Sequence, residues 1–193
     1  MLPDYQELFY KYNHQLKPLI SEIEGRLEYF SEPLLLNLAA VFDYLSIAAA
    51  EGQDVNVNIA EADGYIDRCL SLSYMYLIYS IKKSTDEFEK NIGKHGLKNL
   101  DSGRFVGKYM NLKNQRTDLL KKAKDKDDVK ALPLYEEAYK IASEMEQMMN
   151  KEKPNMSFVQ SETTSWRVVA FKWLLSIGIS VLAGYFVNCY FAG

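Results

Sequence analysis

The sequence predicts an all-α protein, an antiparallel bundle of about five helices followed by one C-terminal transmembrane helix. Three observations lead there. Apolar residues recur at helical spacing over most of the first 150 positions, and the composition is rich in helix formers, with only 10 Gly and 5 Pro among 193 residues. No run of alternating apolar and polar residues bounded by turn residues marks a strand. The stretch WLLSIGISVLAGYFVNCYFAG, Trp173 to Gly193, carries no formal charge over twenty-one residues.

In "PDYQELFYKYNHQLKPLISEIEGRLEYF", Leu8, Phe9, Tyr12, Leu16, Leu19, Ile20, Ile23 and Leu27 fall on one helical stripe, with Pro3 and Asp4 at its start and Pro18 as a point of kinking. A second helix follows in "SEPLLLNLAAVFDYLSIAAAEG". Ser31 stands as its N-cap, Pro33 in its first turn and Gly52 beyond its end. Asn37 and Asp43 interrupt its apolar run, so core packing accounts for that run better than a bilayer does.

The third helix is expected to be long, from about Val57 to Phe88. Its centre, Cys69 to Ile81, is apolar or weakly polar all round, as suits the middle of a bundle. Four glycines in "NIGKHGLKNLDSGRFVG" mark the one extended loop. Two further helices are expected, from about Gly103 to Lys124 and from about Val129 to Asn150, separated by "DKDD".

The chain therefore divides into a helical bundle over 1–152, a membrane-proximal hinge over 153–166 and a transmembrane helix over 167–193. A hydrocarbon core about 30 Å thick needs roughly 20 apolar residues at 1.5 Å each. Arg167 and Lys172 precede the span and no cation follows it, which places the bundle on the cytoplasmic side of the inner membrane. Trp166 and Trp173 suit the near interface with the lipid. Cys69 and Cys189, one in the bundle and one in the anchor, imply no disulfide framework.

Within the span, Ser176, Ser180, Gly184 and Asn188 recur every fourth residue and form one small or polar stripe. Such a stripe permits close helix contact, so the chain is expected to form a homo-oligomer, and with one span per chain a pore would need a ring of copies.

The clearest charge feature runs from Lys94 to Lys130, where eleven of the 23 Lys and Arg residues face five aspartates, although the whole chain carries a net charge of -3. Lys94, Lys98, Arg104, Lys108, Lys113, Arg116, Lys121 and Lys122 make up this basic patch. RNA, lipid head groups and an acidic protein all suit it, and so does a plain solvated helix face. Arg116 falls on or beside the apolar stripe of its helix. Either it meets a carboxylate or phosphate, or its stem lies along the core edge and its head reaches water.

The residues yield no catalytic site. His14 and His95 are the two histidines, and neither has a second ligand at a metal-binding spacing. Phosphate-loop and GxSxG patterns are absent from the sequence. No cofactor or metal is expected.

The third helix, "IAEADGYIDRCLSLSYMYLIY", resembles a helix of HEPN domains, which occur in RNases, toxins and antiviral systems: Ala62, Tyr65, Ile66, Arg68 and Cys69 stand where that helix has Ala, His, an apolar residue, Arg and a small residue. The resemblance implies a helical bundle. The family's ribonuclease signature, Arg followed four to six residues later by His, does not occur here, so no enzyme activity is expected. A bundle of this kind joined to one membrane helix is similar to the small membrane accessory proteins of type VI-B CRISPR systems, which assist an RNA-guided RNase against phage. That likeness implies a membrane pore built from several copies and activated by the RNase complex. A membrane-tethered adaptor that captures RNA or protein on the basic patch is the other expectation.

Overall fold

Helix boundaries follow from local chemistry and from what each segment can bury. The computed structural model describes residues 5–28, 31–50, 54–127 and 129–152, with the backbone alone at 94–96, 98, 99, 101 and 102. The expected hinge and anchor, including Trp166, Arg167, Lys172, Trp173, Ser176, Ser180, Gly184 and Asn188, lie outside these residues. Among the described residues every element is helical, and no helix is long and apolar enough to cross a membrane.

The first rod consists of α1 (Tyr5–Lys11), a π-helical segment (Tyr12–Leu16) and α2 (Lys17–Leu27). A π segment takes up about one extra residue. Leu8 and Leu16, eight apart where two α turns span about seven, are therefore both buried. Pro18 sits in the first turn of α2, where its missing N–H costs little. One expected stripe residue departs: Phe9 is 49% exposed, because it lies beside the line through Leu8 and not on it.

α3 (Glu32–Ala48) starts after Ser31, which occupies the N-cap position in an extended conformation. The Ser31 hydroxyl does not cap. It donates instead to Tyr76 Oη at 2.6 Å, across to the next helix.

That helix, α4 (Val55–Asn99), is the spine, in two helical stretches that meet at a kink at Gly93. Asp54 is its N-cap, with Oδ1 accepting from the backbone N–H of Asn56 and of Val57. The expected end near Phe88 and the glycine-marked loop are corrected. The helix continues to Asn99, broken in backbone conformation at Gly93 (φ 69°, ψ 170°), and a 3-10 turn (Leu100–Gly103) leads on. Burial explains the extension: Phe88, Ile92, Leu97 and Leu100 pack with Phe105, Tyr109, Met145 and Met149. Apolar contact of this kind outweighs the roughly 1 kcal/mol that a glycine costs inside a helix. The expectation of an apolar centre enclosed on all sides is also corrected, since Met75 and Tyr79 are exposed.

α5 (Arg104–Lys124) and α6 (129–152) complete the bundle. Successive rods run antiparallel. Tyr44 of α3 stacks on Tyr65 of α4 while Leu34 lies against Cys69, so α3 descends as α4 climbs. The core forms three linked clusters along α4: one with α1, α2 and α3, one with the middle of α6, and one where α5 and the end of α6 close around Phe88.

Candidate functional site

α5 carries most of the basic patch, and the fold distributes its members among different roles. Phe105, Tyr109, Leu112, Arg116 and Ala123 form the buried side of this helix at spacings of three, four and seven residues. Lys108 points outward and meets Glu144 Oε1 of α6 at 2.7 Å, with both side chains about half exposed, so the pair contributes little to stability. Lys113 reaches Glu89 Oε1 of α4 at 2.6 Å, and the Tyr109 hydroxyl donates to the same oxygen at 2.8 Å. Glu89 thus clamps α5 to the spine. Arg104, Lys121 and Lys122 are exposed, with no ion pair among the described residues. Lys94 and Lys98 lie on the last turns of α4, and their side chains are outside the description.

Arg116 is only 4% exposed. Its Nη1 does not reach water. Neither does it find the partner that a buried guanidinium needs: Nη1 is buried without a hydrogen bond among the described residues. Burial pulls its pKa down, against the attraction of Tyr109, Asp86 and Glu89. Nearby, burial and the hydrogen bond to Glu89 push the Tyr109 hydroxyl well above its ordinary range. A guanidinium inside a seam, attracted by Asp86 and Glu89 but with Nη1 hydrogen-bonded to neither, is an expensive arrangement.

Two other charged groupings escaped the sequence reading. Lys11 of α1 lies 2.8 Å from Asp63 and 3.1 Å from Asp67, both on α4. Burial raises the Asp67 pKa, the ammonium of Lys11 opposes that, and the negative charges of Asp63 and Glu7 add to it. On the other side, Arg26 of α2 binds Glu146 of α6 by two parallel hydrogen bonds and Glu22 by a third. Tyr139 donates to the second oxygen of Glu22 at 2.6 Å; burial first, then this bond, pushes its pKa up to about 12. Oppositely charged residues more than fifty positions apart give no sequence signal that they meet.

The residues that resemble the HEPN helix pack the bundle. Ala62, Ile66 and Cys69 are buried, and Tyr65 stacks on Tyr44. The Arg68 guanidinium lies 4.6 Å from the Tyr65 ring centroid. His14 is exposed beside Tyr10, and the His95 side chain is outside the description. Among the described residues no group of His, Cys, Asp and Glu could hold a metal ion.

No family model, curated protein or solved structure matches this chain.

The most conspicuous surface feature is apolar. Tyr5 and Phe9 on α1 and Leu35, Leu36, Phe42 and Ile47 on α3 are exposed, and Phe9 and Phe42 line a shared shallow groove floored by Leu8, Val41 and Ile66. Phe9 and Phe42 adjoin across this groove, and exposed apolar side chains in contact mark a surface that something covers.

Proposed function

We propose that this protein is a membrane-anchored, self-assembling effector of antiviral defence, which perforates or perturbs the inner membrane from its cytoplasmic side. The observation that carries this reading is the uncharged stretch from Trp173 to Gly193 with Ser176, Ser180, Gly184 and Asn188 at every fourth position. A tether needs only hydrophobic length. Small and polar groups in register serve a helix that meets other helices, or water, inside the bilayer. In this reading the bundle gathers copies and receives the trigger, while the span of each copy contributes one stave of a pore. The described residues form an all-helical bundle, and the HEPN and type VI-B accessory resemblance is carried by the sequence.

The test is conductance. Purified full-length protein in liposomes should pass ions, and replacing Trp173 to Gly193 by polyleucine of equal length, with Arg167 and Lys172 kept, should leave the protein inserted and silent. Equal protection against phage by the polyleucine chimera would overturn the pore. A second reading, a tethered adaptor for RNA, is favoured by Arg104, Lys121 and Lys122, which remain exposed without partners among the described residues. RNA binding without leakage would select it.

A further inference from the structure

We infer that the exposed face of α3 is a homodimer interface, in which two copies cross antiparallel about Ala39, with the α1 residues Tyr5 and Phe9 extending the contact. The inference rests on the self-assembly in the proposed function and does not depend on the pore.

Size supports it. Tyr5, Phe9, Leu35, Leu36, Phe42 and Ile47 are each 38–64% exposed. At the areas typical of such side chains their exposed surfaces sum to roughly 600 Å², close to the ~800 Å² that each partner of a stable complex buries. Copies tethered to one membrane also meet at high effective concentration, so an interface at the low end of the range suffices.

Charge selects the occupant. From Glu32 to Ala48 there is no Lys or Arg, and the charges on α3 are the acids Glu32 and Asp43. An anionic lipid surface would be repelled by such a face, since interfacial helices hold to membranes through basic flanks. A second copy fits in one sense only. Parallel stacking would set Asp43 against Asp43 and Glu32 against Glu32. An antiparallel crossing centred on Ala39 sets Leu36 against Phe42, Leu35 against Asp43 and Glu32 against Ser46, so no acid faces an acid and the small Ala39 side chain allows the helices to approach. The same pairs form twice, as a twofold axis requires.

Single cysteines in the full-length protein test this, with Cys189→Ala to silence the anchor. Cys69 stays native, because it is buried and its thiol is pushed up to about 12. In detergent, a short bis-maleimide should convert most of Ala39→Cys into a dimer-sized band and less than a tenth as much of Lys140→Cys, an exposed position on α6. Mixing Leu36→Cys with Phe42→Cys copies should cross-link several-fold more than either alone, and Phe42→Glu should weaken the dimer at least tenfold while helical circular dichroism is unchanged. No preference for Ala39→Cys over Lys140→Cys overturns the interface. Equal yields from mixed and unmixed copies overturn the antiparallel sense, and a Phe42→Cys link to a cysteine placed at Ser180 of the same chain assigns the face to the anchor segment instead. A cross-linked dimer that fails to conduct counts against the pore alone, and conductance without the cross-link counts against this interface alone.

Discussion

Arg26 and Glu146, 120 residues apart, are joined by two parallel hydrogen bonds, 2.8 Å from Nη1 to Oε1 and 2.7 Å from Nη2 to Oε2. The fork fixes both the distance and the relative rotation of the first rod and α6, which a single point contact could not do. The pair is partly exposed, at 28% and 19%, so its net contribution falls between that of a surface pair and that of a buried one. Glu146→Gln should lower stability by about 1–2 kcal/mol in urea unfolding. A double-mutant cycle with Arg26→Met should return a coupling energy of about 1 kcal/mol, and additivity would show the fork to be idle.

Arg116 should respond in the opposite direction. Its buried Nη1 has no hydrogen bond among the described residues, so Arg116→Met, which keeps most of the volume and removes the charge, should stabilise the protein by about 1–2 kcal/mol and raise Tm by several degrees. A fall in Tm would mean that the guanidinium is satisfied after all.

The grouping around Lys11 makes stability depend on pH. Burial, together with Asp63 and Glu7, lifts the Asp67 pKa above its unfolded value despite Lys11. The folded state therefore holds the Asp67 proton more tightly, and this stabilisation is present at low pH and lost as pH rises through the raised pKa. Asp67→Asn keeps an acceptor for Lys11 and removes the titration. Its urea midpoint should gain more over the native protein at pH 7 than at pH 4; the same gain at both would remove Asp67 from the account.

The basic patch should separate into structural and free cations. Lys113→Glu would set two carboxylates together at Glu89 and should cost about 2 kcal/mol of stability. Lys121→Glu with Lys122→Glu should leave Tm within a degree or two, since both side chains are exposed. The second pair is the clean probe of phosphate capture: RNA retention at low salt should fall in that variant only, and equal retention would reduce these lysines to solvated surface.

Gly93 supplies a backbone test. Its φ of 69° is one that L side chains rarely adopt, although a Cβ there would meet nothing within 4 Å. Gly93→Ala should cost about 1 kcal/mol through conformation alone, with unchanged packing around Phe88. A stabilising effect would mean that the spine straightens through this point without loss.

Among the described residues, helical periodicity by itself determined the all-α class, the number of rods and many of their buried positions. The reason is that an amphipathic stripe records in one dimension which side of a helix must leave water. Leu8, Leu16, Leu19 and Ile23 were legible in that way, as was the long central helix. Tertiary structure alone decided where α4 ends, because whether a glycine-containing segment stays helical depends on Phe105, Tyr109 and Met149 arriving from elsewhere to bury Phe88 and Leu100. It also decided the fate of each charge. Lys108 and Lys113 find Glu144 and Glu89, Arg26 finds Glu146, and Arg116 goes inside without a partner among the described residues. Local sequence sets a side chain's direction from its own helix, whereas the sign and distance of the group it meets are set by how distant helices pack.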